Sequence, residues 1–195
     1  MIDSEKDIIL KRDFFSRDTA LVARELLGKT LVRISKGEHT SGIIIETEAY
    51  YGPDDPASHA SRGMTPRSSI MFGEAAVAYV YLCYGVYWLL NVVTEKKDNP
   101  GAVLIRGIKP LRGIEAMKIR RKNKEMKGLA DGPGKLTVAM DINGKDNGRD
   151  MTSWESGLFI AEGPGGKDMF KIKNTSRIGI TEGKDMLLRY VGVGL

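Results

Sequence analysis

A stretch of twenty residues without a formal charge, 75–94, restricts the possible folds most strongly. Its length would suffice for a helix that crosses a bilayer. However, its tyrosines lie in the middle rather than in two interfacial belts. Tyr79 and Tyr81 alternate with Val80 and Leu82, which is the period of a strand, and Gly85 interrupts the run. The pattern therefore predicts two buried strands joined by a bend, and not a membrane span.

The rest of the chain carries further strand-like segments with short connections between them. Short connections favour antiparallel neighbours, so we expect a single α+β domain over residues 1–195 with a mostly antiparallel sheet and flanking helices. We expect helices at 17–27 and 111–127, with Leu111, Ile114 and Met117 facing inward, and a tight turn at 131–135. Residues 136–142 fit a short helix or a strand. Strands are expected at 31–34, 42–50, 78–84, 87–94, 102–108, 157–163, 176–183 and 186–192.

Composition excludes several classes of site. One cysteine, Cys83, rules out an intramolecular disulfide and a thiolate-rich zinc site, and the presence of only two histidines argues against a histidine-dominated metal site. Acidic residues precede any apolar run at the start of the chain, which does not fit a secretory signal. We expect a cytoplasmic protein at the nucleoid in a prokaryote, or a nuclear protein in a eukaryote.

The net charge of +5 is concentrated in one segment. Residues 106–127 hold nine Lys or Arg and two acids, so this segment carries +7 and the remainder of the chain is slightly acidic. A basic segment of this kind is typical of a solvated helix face. It also fits contact with the phosphates of a nucleic acid, and an aromatic-rich neighbour strengthens that second interpretation.

Glu46, Glu48 and Tyr50 alternate along a β-branched strand, so they share one face, which the alternation also assigns to Ile44. Two carboxylates on such a face require solvent, a cleft or partners. The segment alone is consistent with a solvent-facing strand edge or with a catalytic carboxylate beside an aromatic ring. Glu46 lies at a spacing seen in two-carboxylate glycosidases, but bonding to backbone or to a basic side chain fits it better.

The tyrosines at 79, 81 and 84 permit two interpretations as well. They could be ordinary core aromatics, or they could form a platform on which flat ligands or bases stack. His59 lies in a polar loop, where a surface histidine is the ordinary expectation. Cys83 fits a buried small hydrophobe.

These segments together resemble the alkyladenine (3-methyladenine) DNA glycosylases of the methylpurine type. The matching stretches, all in order, are G-I-I-I-E-T-E-A-Y-Y-G-P-D-D-P-A-S-H at 42–59, T-P-R at 65–67, M-F-G at 71–73, A-Y-V-Y-L-C-Y-G-V-Y-W-L-L-N-V-V at 78–93, A-V-L-I-R at 102–106, D-G-P-G-K-L at 131–136 and R-I-G-I at 177–180. The resemblance covers nearly the whole chain. E-T-E-A-Y-x-G-P together with Y-V-Y-x-x-Y-G makes it highly specific.

The resemblance implies a role for each matching residue. It implies Glu48 as the general base that activates water and Arg106 as the arginine that holds this water and the carboxylate. It implies contacts to the flipped base from Tyr50, His59 and Tyr81, and a role for Asn91 in disfavouring guanine. It implies Tyr84 as the intercalating residue, and Arg67 and Met71 as parts of the DNA-facing surface. These roles agree with the chemistry, because a carboxylate can stabilise an oxocarbenium-like state and take a proton from water. Reaching the sugar carbon requires that the nucleotide be flipped out of the duplex.

We therefore expect a monofunctional, monomeric DNA glycosylase that acts on double-stranded DNA with a damaged purine, alkylated or deaminated. No metal, organic cofactor or membrane is implied. We expect no lysine in the matched pocket segments that could form a Schiff base, and therefore no lyase activity. Two alternatives remain open: a non-catalytic nucleic-acid binding module with the same aromatic and basic surface, and a carbohydrate-active hydrolase that uses Glu46 and Glu48. The basic segment counts against the second.

Overall fold

The computed structural model describes residues 8–122, 125–164 and 170–195. Four helices and eight strands are present in these residues. The helices are α1 (Arg12–Phe15), α2 (Thr19–Glu25), α3 (Ile114–Arg120) and α4 (Pro133–Ala139). The strands are β1 (Thr30–Ser35), β2 (Glu38–Tyr50), β3 (Ala78–Cys83), β4 (Tyr87–Thr94), β5 (Gly101–Arg112), β6 (Leu158–Ala161), β7 (Lys171–Thr175) and β8 (Arg189–Val193).

All eight strands belong to one sheet, and every recorded pairing is antiparallel. The order is β3-β4-β5-β2-β1-β6, and β8 pairs with β2 and with β7. Thr47 pairs with Ile105 of β5 and with Tyr190 of β8, so β8 lies on the edge of β2 opposite β5. The α+β class with a single antiparallel sheet, predicted from the short connections, is confirmed.

Strand β2 is the longest strand and the centre of the sheet. Its register against β5 shifts between Ile44 and Glu46, which marks a bulge. Past this bulge, Thr47 donates a hydrogen bond of 2.8 Å to the carbonyl of Ala23 in α2, and Ala49 joins the same core cluster as Ile44. The prediction that Ile44 shares a face with Glu46 is therefore wrong, because the extra residue changes the alternation. One face of β2 packs on α2, and the other presents Glu46 and Glu48.

The main core lies where α2 packs on β2 and β5 and where α4 packs on β4 and β5. Asp18 caps α2, since its carboxylate accepts from the amide of Leu21. Phe15, Leu26 and Leu136 are fully buried in this core. A second, smaller cluster forms around Met71, Tyr79 and Val93 beneath the other face. None of the helices among the described residues has both the length and the hydrophobicity that a membrane crossing requires.

Four segments differ from the sequence predictions. The helix expected over 111–127 is shorter, because β5 continues to Arg112 and α3 occupies only Ile114–Arg120. Between them, Gly113 has a φ of +69°, and a Cβ there would lie 2.6 Å from the carbonyl oxygen of His39. Leu111 is therefore on the strand and 44% exposed, whereas Met117 is buried as predicted.

The segment 131–135 is not a tight turn, because α4 begins within it at Pro133, a residue suited to the first turn of a helix. Helix α4 covers 136–139 of the segment that fitted a helix or a strand, and residues 140–142 belong to neither. The strand predicted at 176–183 is wrong, since this segment is an irregular loop. Instead, Lys171–Thr175 forms β7, an exposed edge strand whose polar sequence gives no alternating pattern.

Candidate active site

One face of the sheet borders a cavity of about 890 Å³. The β3–β4 hairpin, the loop that follows β2, the start of α4 and the loop at 178–180 surround it. The family resemblance assigns a role to nine residues, and eight of them line this cavity: Tyr50, His59, Arg67, Met71, Tyr81, Tyr84, Asn91 and Arg106. The ninth, Glu48, lies directly behind the wall. The fold therefore brings together residues that are separated by up to 58 positions in the chain.

Glu48 is fully buried and accepts three hydrogen bonds. Its Oε2 accepts from the hydroxyl of Tyr50 at 2.8 Å and from Nη1 of Arg106 at 3.3 Å. Its Oε1 accepts from the backbone amide of Ile178 at 2.7 Å. A carboxylate without solvent requires such donors, and hydrogen bonds to a charged acceptor are the stronger kind. The solvent-facing strand edge considered from the sequence is thereby excluded for Glu48.

Glu46 holds the arginine that contacts Glu48. Its Oε1 accepts from Nε of Arg106 and from Nε of Arg189, each at 2.7 Å. Burial lowers the pKa of Arg106, but the carboxylates of Glu48 and Glu46 outweigh burial and raise it overall, so the guanidinium stays charged. Neither carboxylate lines the cavity, and both bind one arginine. This arrangement fits the structural interpretation of Glu46 and does not fit a pair of independent catalytic carboxylates.

His59, Tyr79 and Tyr81 form an aromatic cluster in the cavity lining. His59 Nδ1 lies 2.7 Å from the Tyr79 hydroxyl, and the His59 and Tyr81 rings are 4.7 Å apart in an edge-to-face arrangement. Burial, with a smaller contribution from Arg67, lowers the pKa of His59 to about 4. His59 is therefore a neutral, half-buried side chain at pH 7 rather than an ordinary surface histidine. The alternation of Tyr79 with Tyr81 predicts a shared face and is consistent with an aromatic platform, but the family resemblance assigns no role to Tyr79.

Tyr50 is held in place by a buried ion pair. Asp55 and Arg177 are paired through both guanidinium nitrogens at 2.5 and 2.7 Å, and both side chains have no exposed surface. The Arg177 guanidinium lies 4.7 Å from the centre of the Tyr50 ring and donates to the carbonyl of Ala49. Burial and the charge of Glu48 raise the pKa of Tyr50, so its hydroxyl remains a donor. Sequence reasoning missed both members of the pair.

Asn91 lines the cavity at 3% exposure, and its Nδ2 donates to the carbonyl of Tyr79 at 3.1 Å. This bond fixes the amide on β4, next to the aromatic cluster. Met71, predicted as part of the DNA-facing surface, is 1% exposed and lines the cavity from within the smaller core cluster. Arg67 does lie on the surface, with its guanidinium 4.9 Å from the centre of the Tyr81 ring.

The tip of the β3–β4 hairpin projects large apolar side chains beside the cavity. Tyr84 is 91% exposed and has a φ of +50°, and Gly85 follows with a φ of +70°. Leu82, Val86 and Tyr87 are also exposed at this tip. A group of exposed apolar side chains at one hairpin tip indicates a contact site. The bend predicted at Gly85 is confirmed.

The basic segment 106–127 does not form one helix face. Arg106 faces the buried carboxylates, and Arg120 pairs with Glu38 and donates to the carbonyl of Ala139. Arg121 donates to the carbonyl of Leu129 and lines the cavity. Lys124 lies outside the described residues. The cavity lining also includes Lys135 of α4, contrary to the expectation that no pocket segment carries a lysine.

Among the described residues, no group of three or more His, Cys, Asp or Glu side chains is arranged to hold a metal ion. The arrangement instead offers a buried, hydrogen-bonded carboxylate next to an aromatic cavity large enough for a flat heterocycle. A carboxylate at that position can act on a water molecule or stabilise a positive charge on a sugar.

Comparison with known proteins agrees with this arrangement. Residues 13–194 match the family model for methylpurine-DNA glycosylase (MPG). A protein of Prosthecochloris aestuarii is 47% identical over 179 residues, which are 91% of this chain and 85% of the relative. A protein of Methanocella arvoryzae is 48% identical over 181 residues, 92% of this chain and 88% of the relative. Both are provisionally named 3-methyladenine DNA glycosylases. The chain therefore belongs to the methylpurine-DNA glycosylase family and is a DNA repair hydrolase of the glycosylase type.

Proposed function

We propose that the protein excises alkylated or deaminated purines from double-stranded DNA by attack of water on the N-glycosidic bond. The observation that carries this proposal is the position of Glu48. It is a buried carboxylate with three hydrogen-bond donors, next to a cavity whose lining includes Tyr50, His59 and Tyr81. The substrate class includes bases such as 3-methyladenine, 7-methylguanine, hypoxanthine and ethenoadenine.

The proposed reaction begins when the damaged nucleotide leaves the stack and its base enters the cavity. Extrusion costs a few kcal/mol, and a damaged pair costs least. Tyr84 at the hairpin tip fills the gap that the base leaves, and stacking of its ring on neighbouring bases contributes about 1–3 kcal/mol. Stacking against Tyr50 and contacts with His59 and Tyr81 retain the flipped base. The amide of Asn91 disfavours guanine.

Glu48 then takes a proton from water as the water attacks the sugar C1′, and its charge stabilises the oxocarbenium-like state. The electron pair of the C1′–N bond leaves with the purine, and an abasic site remains. Because Glu48 has no exposed surface in this structure, we infer that base binding displaces the Tyr50 hydroxyl or the backbone at Ile178. That displacement exposes one carboxylate oxygen to the attacking water.

A single-turnover excision assay tests the proposal on duplexes that contain hypoxanthine, 7-methylguanine or ethenoadenine. We expect Glu48→Gln to slow excision by about 10²–10⁴-fold, which is the usual contribution of general acid–base catalysis. Glu38→Gln is the matched control, because Glu38 lies at the far end of the same strand and pairs only at the surface. Equal rates for wild type and Glu48→Gln would contradict the role of Glu48.

The same assay separates hydrolysis from lyase chemistry. Lys135 lines the cavity, but its Nζ is paired with Asp131 at 2.8 Å. We propose that water, and not this amine, is the nucleophile. The product should therefore be an intact strand with an abasic site, and borohydride should trap no covalent complex. Strand cleavage that Lys135→Gln abolishes would contradict a monofunctional mechanism.

A further inference from the structure

The cavity has an unbalanced charge. Four cationic side chains line it, and no Asp or Glu among the described residues does so; the cations are Arg67, Arg106, Arg121 and Lys135. Three of them are engaged within the protein. Arg106 binds Glu46 and Glu48, Lys135 binds Asp131, and Arg121 donates to the carbonyl of Leu129.

Arg67 lies at the aromatic cluster, where it donates a hydrogen bond to the Tyr79 side chain. Within residues 8–122, 125–164 and 170–195, no carboxylate forms an ion pair with Arg67 or with Arg121, and Arg121 binds backbone carbonyls instead. The Arg67 guanidinium lies over the ring of Tyr81, 4.9 Å from the ring centre, and Tyr81 in turn packs against His59. Arg67 therefore places a positive charge without an anionic partner beside the aromatic cluster, next to a histidine that carries no charge at pH 7.

We propose that Arg67 makes the cavity select damaged purines by their charge, favouring neutral bases over cationic methylated ones. This inference rests on the proposed function and names the discriminating residue of that site. A base methylated at N7 carries a positive charge, which a nearby guanidinium repels, and solvent around the exposed Arg67 side chain screens part of that repulsion. A neutral base such as hypoxanthine is not repelled.

The same charge also distinguishes the two reactions at the bond-breaking step. A neutral purine receives the electron pair of the C1′–N bond and develops negative charge, which Arg67 stabilises. A cationic purine becomes neutral when it accepts the same electron pair, and it remains partly positive in the transition state. Measured from the free enzyme, the transition state for the cationic lesion is therefore disfavoured, and the one for the neutral lesion is favoured.

The test compares excision of hypoxanthine and 7-methylguanine from otherwise identical duplexes, at enzyme concentrations below saturation. The readout is the ratio of the two second-order rates, in which any general loss of DNA affinity cancels. We expect Arg67→Gln to lower the hypoxanthine-to-7-methylguanine ratio by about tenfold, an effect reduced from the full Coulomb value by solvent around an exposed side chain. Arg67→Lys should keep the ratio within about threefold of wild type, because it keeps the charge.

Arg62→Gln is the matched control, since Arg62 is an exposed arginine of the same loop that does not line the cavity. It should leave the ratio unchanged. Equal losses on both lesions in Arg67→Gln would show a contact with the DNA backbone only, and would overturn the inference. A ratio that falls equally in Arg67→Lys would overturn the role of charge.

Binding measurements make the result independent of catalysis. Dissociation constants for the two duplexes are measured with Glu48→Gln and with Glu48→Gln/Arg67→Gln. Removal of the arginine should tighten binding of the 7-methylguanine duplex relative to the hypoxanthine duplex. An unchanged relative affinity would overturn the inference about Arg67, whether or not the wild-type protein excises either base. Absence of excision of both bases by wild type would refute the proposed function instead.

Discussion

Breaking the buried ion pair between Asp55 and Arg177 should destabilise the whole domain. Both side chains are completely buried, and the guanidinium contacts the carboxylate through two nitrogens at 2.5 and 2.7 Å. In Asp55→Asn, an amide NH2 replaces one of the two carboxylate oxygens that accept from the guanidinium, so two donors face each other. The positive charge of Arg177 then remains buried without an anionic partner. Loss of one member of such a pair costs about 3–5 kcal/mol. For a domain of this size that corresponds to a fall in Tm of about 6–20 °C.

Urea denaturation measures this change in the free energy of unfolding. Asp54→Asn is the control, because Asp54 is the exposed neighbour of Asp55 and should change stability by less than about 0.5 kcal/mol. The double variant Asp55→Asn/Arg177→Gln removes both charges, so we expect it to be more stable than the sum of the single effects by about 2 kcal/mol or more. A loss below about 1 kcal/mol in Asp55→Asn, or additive single effects, would refute this reasoning.

Three further predictions concern catalysis, pH and a turn. Glu46→Ala should slow single-turnover excision by about tenfold or more, because Arg106 loses the hydrogen-bond acceptor that positions it. Glu46→Gln keeps an acceptor oxygen and should slow excision less. Equal rates in wild type and both variants would contradict this role of Glu46. The pKa of His59 is lowered to about 4, so the folded state prefers neutral imidazole, and its contribution to stability is complete above pH 6.5 and lost as the pH falls toward 4. Urea titrations should therefore show a steeper loss of stability over this range in wild type than in His59→Gln. Lys36 and Gly37 form a two-residue hairpin turn with φ of +52° and +79°. Because asparagine is preferred at a positive φ in such a turn, Lys36→Asn should raise the free energy of unfolding by about 0.5–1 kcal/mol. A lower urea midpoint for this variant would contradict the turn argument.

The strands with a regular alternation could be predicted from the sequence. Tyr79 and Tyr81 alternate with apolar neighbours, and β3 and β4 occur where that pattern places them. Strand β7 could not be predicted in this way, because an exposed edge strand has no buried face and its polar sequence needs none. The bulge after Ile44 depends on pairing with β5, which local sequence does not specify.

The candidate site was predictable to the extent that its residues lie in specific motifs. Glu48 and Tyr50 belong to one such motif, and their hydrogen bond agrees with alternation on a strand. The partners that stabilise them come from distant segments. Arg177 follows Asp55 by 122 residues and Arg189 follows Glu46 by 143, so only the folded chain shows that these charges meet.

The double pairing of β2 has a consequence for how the protein loses activity on heating. Glu48 is paired with Leu104 on one side and with Arg189 on the other, so its strand separates only when the sheet itself opens. The loop with His59 and the loop at 178–180 lack this support. Backbone amides near Glu48 should therefore be among the slowest to exchange with deuterated solvent. On heating, the loops should unfold and activity should be lost before the main thermal transition of the domain. This loss should reverse on cooling, because β2 stays paired in the sheet and the loops can refold against it.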